Sequence, residues 1–220
     1  AINPSNGEIL ALASSPSYDP NRFVKGLDEK TWQAMASSKD FPLQNRALTG
    51  QYPPGSVFKI VVALAALEEG VVTPEEKIFC NGRYSVGNAT YRCWKKHGHG
   101  GVDLHRALVE SCDVYFYTLG RRLGIDKVAQ YAMRFGLGKE TGLDLDTEKG
   151  GLIPTTQWKL KRMGIPWQRG ETVISAIGQG FVLTTPLQIA NLISAVFNGG
   201  HVYRPQVTKW VRKPSGGSLF

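Results

Sequence analysis

The sequence predicts an α+β fold, with strand-forming segments at both ends of the chain and a helical middle. Two apolar or alternating stretches mark the ends. Residues 7 to 14, Gly-Glu-Ile-Leu-Ala-Leu-Ala-Ser, read as a buried strand after the turn "PSNG", and "HVYRPQVTKWVRK" (201 to 213) alternates like a second strand. Between them, apolar residues recur at helical spacing in segments bounded by capping residues and glycine. The 220 residues are 42% hydrophobic and 20% charged, which supplies a core for one large domain, and 1–220 is read as a single domain.

Each element has its own warrant. "DEKTWQAMASS" (28 to 38) reads as a short helix with Asp28 at its N-cap. Residues 39 to 55 read as a loop ending in Pro53, Pro54 and Gly55. Ser56 to Glu69 reads as a helix closed by Gly70. Residues 71 to 101 hold five glycines and read as irregular. "VDLHRALVESCDVYFYTLGRRLG" (102 to 124) reads as two helical pieces that break near Cys112–Asp113. Residues 126 to 136 read as a helix capped by Asp126 and closed by Gly136, and 137 to 170 as loop. Thr185 then caps a helix with Pro186 at its first position, running to Asn198-Gly199-Gly200.

The net charge is +8 and the pI about 9.4, a balance that favours anionic surroundings. The densest basic runs, "RCWKKH" (92 to 97) and "KLKR" (159 to 162), match no nucleic-acid-binding motif, so they read as a solvated basic surface and no nucleic-acid partner is expected. The longest apolar run, Ile60 to Leu67, is far short of the ~20 residues that a membrane helix needs. The chain opens in mid-structure without a signal peptide, so further residues, including a membrane anchor, are expected before Ala1.

The chemistry centres on "YPPGSVFKIVVALAAL" (52 to 67). A serine that opens a helix ordinarily caps it. Lys59 lies three residues after Ser56, and positions three apart on a helix are neighbours. Val57, Phe58, Ile60, Val61 and Val62 surround the pair, and burial disfavours a charged ammonium. A neutral Lys59 within reach of Ser56 would take its proton, and the free N–H groups of the helix start would hold an oxyanion.

This segment resembles the active-site segment of the penicilloyl-serine transferases, in which Ser-x-x-Lys carries the nucleophile of penicillin-binding proteins and serine β-lactamases. The resemblance extends to "NPSNGEILALASSPSYDPNRF", to "QNRALTGQYPPGSVFKIVVALAALE" and to "ISAIGQGFVLTTPLQIANLISAVFNGG" (174 to 200), and covers nearly the whole chain. It is to the class B penicillin-binding proteins, of the cell-elongation type. It implies the transpeptidase fold, a helical subdomain plus an antiparallel sheet, with the chain stopping before the C-terminal strands. It also implies a peptidoglycan D,D-transpeptidase that needs no cofactor for catalysis. Ser56 would attack the carbonyl of a D-Ala-D-Ala stem peptide, and β-lactam antibiotics would acylate the same serine. The implied location is the periplasmic side of a bacterial inner membrane. The implied partners are a membrane glycosyltransferase and elongation-complex proteins.

The resemblance further implies a second motif, Ser-x-Asn or Ser-x-Asp. Ser111-Cys112-Asp113 fits, as do Ser17-Tyr18-Asp19 and Ser38-Lys39-Asp40; its place at the break between two helices, 55 residues after Ser56, favours Ser111. There Ser111 would relay a proton and Asp113 would bond Lys59 or orient substrate. The third motif, Lys-[Ser/Thr]-Gly, is not matched: in "KPSGG" (213 to 217) Pro214 separates Lys213 from Ser215. It is expected beyond Phe220, well after Gly178-Gln179-Gly180, so the 220-residue piece is expected to be inactive by itself.

Cys80, Cys93 and Cys112 lie within 33 residues. In an oxidising compartment Cys80 and Cys93 could form a disulfide, leaving Cys112 free. With a histidine the three would make a tetrahedral Cys₃His zinc set. His99, between two glycines, is preferred to His97, which follows Lys95 and Lys96. Three unpaired thiols are the remaining possibility. Two other functional readings stay open: a serine β-lactamase or β-lactam sensor of the same fold, which would need a deacylating carboxylate, and a non-catalytic binding or scaffold module.

Overall fold

The computed structural model describes residues 1–145 and 147–211. In chain order the elements are α1 (Asn21–Val24), α2 (Glu29–Ala36), α3 (Arg46–Thr49), a 3₁₀ turn (Gly55–Phe58), α4 (Lys59–Glu68), β1 (Ile78–Cys80), β2 (Arg83–Val86), β3 (Ala89–Arg92), β4 (Gly100–Val102), α5 (Leu104–Val109), α6 (Asp113–Leu123), α7 (Ile125–Arg134), α8 (Thr156–Met163), α9 (Arg169–Ser175) and α10 (Pro186–Phe197). They form two compact units, one of residues 52–139 and 151–184, the other of 1–51, 140–150 and the chain from Thr185 on.

The first unit is built around α4. This helix is apolar on nearly every side and buries Val61, Val62, Ala63, Ala65 and Ala66, as a helix surrounded by others must. It packs on α6 and α7, and α6 packs on α9. The α6–α9 approach is so close that a Cβ at Gly120 would stand 2.4 Å from the Cβ of Ala176. The helix predicted from Ser56 begins only at Lys59; a 3₁₀ turn precedes it, and Ser56 caps nothing.

The segment read as irregular, 71 to 101, carries β1, β2, β3 and all of β4 but its last residue, Val102, and these are the strands among the described residues. β1 pairs antiparallel with β4, and β2 with β3. Gly87 at φ 57° opens the two-residue turn Gly87–Asn88 that joins β2 to β3, a hairpin signal outweighed in the sequence by its many glycines. The break between α5 and α6 is where the sequence predicts it: Ser111 adopts a left-handed φ of 52°, rare for a residue with a side chain. Two other boundaries differ. α7 starts at Ile125 after Gly124, and Asp126 instead accepts from the backbone N–H (2.8 Å) and hydroxyl (2.7 Å) of Thr156, fixing the start of α8. α8 itself lies in the stretch predicted as loop, capped by Thr155. Lys159, read as part of a solvated basic run, is buried on α8 and paired with Glu171 of α9 at 2.5 Å.

In the second unit, α2 carries its predicted Asp28 cap and α10 its predicted Thr185 cap, the latter as a reciprocal box with Gln188. α3, capped by Asn45, falls in the predicted loop 39 to 55. Leu48, Leu143 and Leu187 form the buried centre, with Ile2, Ile9 and Leu12 against it. The two predicted terminal strands reduce to single bridges, Ile2 with Ile9 and Glu8 with Gln206. Pro205 has no N–H to continue a ladder next to Gln206. Residues 212 and 213 of that segment, and the "KPSGG" stretch, lie outside the described residues.

Candidate active site

The turn that carries Ser56 is fixed from outside. Gly55, at φ 59°, donates its N–H to the carbonyl of Gly178 at 3.0 Å. Gly178, at φ 70°, has no room for a side chain: a Cβ would stand 2.4 Å from the Gly55 carbonyl oxygen and 2.7 Å from Phe58 Cβ. The Gly178-Gln179-Gly180 segment therefore abuts the serine turn at backbone distance. Ser56 itself is exposed, whereas Lys59, one helical turn on, is 1% exposed.

Lys59 Nζ donates to three oxygens: Asp113 Oδ1 at 2.6 Å, Ser111 Oγ at 2.9 Å and the Ser111 carbonyl at 3.0 Å. The Phe116 ring lies 5.6 Å away. Ser111 Oγ in turn donates to Ser56 Oγ at 2.9 Å. The direct bond expected between Lys59 and Ser56 is not formed. The break between α5 and α6 offers the amine a carboxylate, a hydroxyl and a carbonyl together, and buried cations need such partners. The lysine and the serine are joined through Ser111, so the three predicted polar groups and Asp113 form one array. Ser17, Asp19, Ser38 and Asp40 belong to the other unit.

Trp94 completes the array, and the sequence reading missed it. Its backbone N–H donates to Asp113 Oδ2 at 3.0 Å, and its indole Nε1–H to the carbonyls of Glu110 (3.0 Å) and Ser111 (3.1 Å). The residue that holds the left-handed Ser111 is itself 66% exposed. An aromatic in a basic, glycine-rich stretch was the sole signal in the sequence.

Behind Trp94, Cys80 at the end of β1, Cys93 after β3, His99 before β4 and Cys112 at the start of α6 come together. All four are buried, and their ligand atoms lie within 4.8 Å of one another. His99 Nδ1 is 3.6 Å from Cys80 Sγ and 3.5 Å from Cys93 Sγ. His99 Nε2 has no hydrogen-bond partner and is 3.8 Å from Glu110 Oε2. Gly98 permits the convergence, since a Cβ there would stand 2.0 Å from the Cys80 carbonyl oxygen. No disulfide joins the three cysteines in this arrangement, and His97 is exposed. Burial pushes the Cys112 thiol far above its ordinary range, and burial followed by the Lys95 charge holds His99 below its ordinary value, in the neutral form that ligates metals. The donor set and the spacing of three thiol sulfurs around His99 Nδ1 fit a tetrahedral soft cation.

A serine, a second serine and a buried lysine linked in sequence across a helix start are the groups of a serine acyl-transfer site. Residues 1–217 match the penicillin binding protein transpeptidase domain, and the chain belongs to that family. It is 42% identical over 211 residues to the peptidoglycan D,D-transpeptidase MrdA of Acinetobacter baumannii, covering 95% of this chain and 31% of that protein. With MrdA of Escherichia coli K12 it is 41% identical over 207 residues, covering 93% and 33%. The chain thus spans about a third of the length of these curated relatives. Among solved structures, Pseudomonas aeruginosa PBP2 in complex with WCK 5153 superposes with a TM-score of 0.91 at 45% identity, covering 94% of this chain and 46% of that one. The complex of PBP2 and MreC from Helicobacter pylori gives 0.91 at 39% identity, covering 94% and 39%. The imipenem acyl-enzyme complex of penicillin-binding protein A from Mycobacterium tuberculosis gives 0.86 at 30% identity, covering 100% and 50%. The fold class predicted from the sequence, an α+β transpeptidase fold with a helical subdomain and an antiparallel sheet, is that of these structures.

Proposed function

We propose that the protein carrying this chain is a peptidoglycan D,D-transpeptidase of the elongation type, and that Ser56 is its nucleophile. The single observation that carries the reading is the array Lys59–Ser111–Ser56, with Lys59 bonded to Asp113. Ser56 Oγ bonds to the carbonyl carbon of the stem peptide, and the tetrahedral intermediate collapses with release of D-Ala. An amine from a neighbouring stem peptide then displaces Ser56 and forms the cross-link.

The direction of the hydrogen bonds assigns a division of labour. At rest, donors point from Lys59 through Ser111 to Ser56. Delivery of a proton to the leaving amine uses the chain as it stands. Removal of the Ser56 proton requires both hydroxyls to turn, and requires an amine lone pair on Lys59. Asp113 Oδ1, 2.6 Å from that amine, holds it in place beside Ser111. β-Lactams would enter the same route and stop at the acyl-enzyme. The test is mass spectrometry of the full-length protein after penicillin treatment: the adduct is expected on Ser56, and an adduct on another residue sinks the assignment.

Cys80, Cys93, His99 and Cys112 are proposed to hold one zinc ion. Bound there, the metal would supply a structural cross-link and no chemistry of the reaction. The chain's own residues do the positioning: Cys112 stands between Ser111 and Asp113, and Cys93 precedes Trp94. Elemental analysis is expected to give about one zinc per chain. The location and partners proposed are the periplasmic face of the inner membrane, a membrane glycosyltransferase and an MreC-like elongation protein, in line with the H. pylori relative solved with MreC. No helix among the described residues is long and apolar enough to cross a membrane. The match of one family to 1–217 supports a single domain despite its two compact units.

A further inference from the structure

A cavity of about 330 Å³ opens beside Trp94, lined by Gly82, Arg83, Arg92, Cys93, Trp94 and Lys96. Its polar lining is cationic. The β2–β3 register sets Arg83 directly opposite Arg92, and facing residues of an antiparallel pair project to the same side. Like charges so placed repel each other, and cross-strand pairs are normally chosen to avoid this. Among the described residues neither guanidinium, nor the Lys96 amine, makes an ion pair or a side-chain hydrogen bond. The close approach of this wall is built in: a Cβ at Gly82 would stand 2.4 Å from the Lys96 carbonyl oxygen. The remaining wall is an indole fixed by two carbonyls, belonging to the residue whose N–H holds Asp113.

A bare solvated basic patch would spread its charges. Here Arg83, Arg92 and Lys96 all line one concave space, and an anion bound there would neutralise their charge. Guanidinium forks match carboxylates in plane and spacing, and an aromatic wall suits the aliphatic part of a peptide. We propose that this cavity is a subsite for a free carboxylate of the peptide substrate, one lying outside the bond that reacts. The inference rests on the transpeptidase reading and names the feature of the stem peptide that the site next to Ser111 selects. An anion there also quiets the Arg83–Arg92 repulsion, so substrate and hairpin stabilise each other.

The test uses the full-length protein and two synthetic γ-glutamyl peptides, identical except that one carries a free α-carboxylate and the other its carboxamide. Calorimetric titration is expected to find the acid bound about tenfold more tightly than the amide, the size of one charge-assisted contact. The double variant Arg83→Gln/Arg92→Gln, and separately Lys96→Gln, should reduce that ratio toward one by weakening the acid alone. Equal binding of the two peptides to the unsubstituted protein, or a ratio that survives in the double variant, overturns the proposal. Penicillin labelling of the unsubstituted protein is followed in parallel. Failure of Ser56 to label removes the transpeptidase reading, whereas loss of the acid–amide ratio with labelling intact removes only the subsite.

Discussion

Trp94 donates its backbone N–H to Asp113 Oδ2 at 3.0 Å, while the other oxygen of that carboxylate takes the Lys59 amine at 2.6 Å. A residue of the strand-rich segment therefore fixes the carboxylate that fixes the buried lysine. The indole reinforces this by donating to the carbonyls of Glu110 and Ser111, which flank the Ser111 Cα. The second motif is held in its left-handed turn by a neighbour that is distant in sequence.

Trp94→Phe keeps the backbone donor and deletes the indole N–H. The Glu110 carbonyl loses its indole donor and the Ser111 carbonyl keeps only the Lys59 amine, so Ser111 is expected to wander from its 2.9 Å contact with Ser56. The expected effect is a second-order rate of penicillin acylation about tenfold lower, the size of one or two lost neutral hydrogen bonds. Stopped-flow acylation of the full-length variant measures it; an unchanged rate removes the positioning role.

Ser111→Ala cuts the link between Lys59 and Ser56. General acid–base relays contribute about 10²–10⁴-fold, so acylation should slow by that order while the melting temperature changes little. Lys59→Met should slow it comparably and also strand Asp113 beside an apolar side chain, which costs stability. Kinetics of labelling together with calorimetry separate the two variants.

Gly178→Ala places a methyl group within 2.4 Å of the Gly55 carbonyl oxygen at a backbone φ of 70°. Backbone faces the intruder, so no flexible side chain can give way. The serine turn should shift, lowering acylation strongly, with a stability loss of about 1–3 kcal/mol from strain. Gly70→Ala shares the positive φ but has open space around it, and should cost only the strain.

Chelation tests the zinc proposal. Removal of the metal from the full-length protein should lower the melting temperature and slow acylation together, because Cys112 lies between Ser111 and Asp113. Cys112→Ser should reproduce both effects and reduce the bound zinc measured by elemental analysis. Stability and acylation that are indifferent to chelators would argue for three buried thiols.

The Glu76–Arg122 pair gives a pH dependence of stability. The Arg122 guanidinium, bonded at 2.7 Å, holds the Glu76 carboxyl below its ordinary range. A carboxylate depressed in the folded state stabilises it above the unfolded-state value, and that contribution is lost as pH falls through the folded-state value. The melting temperatures of the native protein and of Glu76→Gln should therefore differ at pH 7 and converge under acid. The pair is solvent-exposed, so the gap should be small.

Much of the candidate site was legible in the sequence because its groups are local. Ser56 and Lys59 share one turn, and Ser111 and Asp113 bracket a helix break that capping rules foresee. Glycine content hid the strands β1 to β4 between Ile78 and Val102: the same residues that suggest irregular structure also permit the hairpin turn and the close approach of Gly82 and Gly98. The caps at Asp28 and Thr185 were readable because they act within three residues. Asp126 was misread as a cap because its partner, Thr156, lies 30 residues away.

By itself the sequence determined which chemical groups the chain possesses and which helices could carry them, since periodicity and capping act over a few residues. Only the tertiary structure decided that Lys59 reaches Ser56 through Ser111, that Trp94 holds Asp113, and that three cysteines meet His99. Those relations depend on where chain segments tens of residues apart come to rest. Packing and the need to satisfy buried polar atoms select that outcome, and no local pattern encodes it.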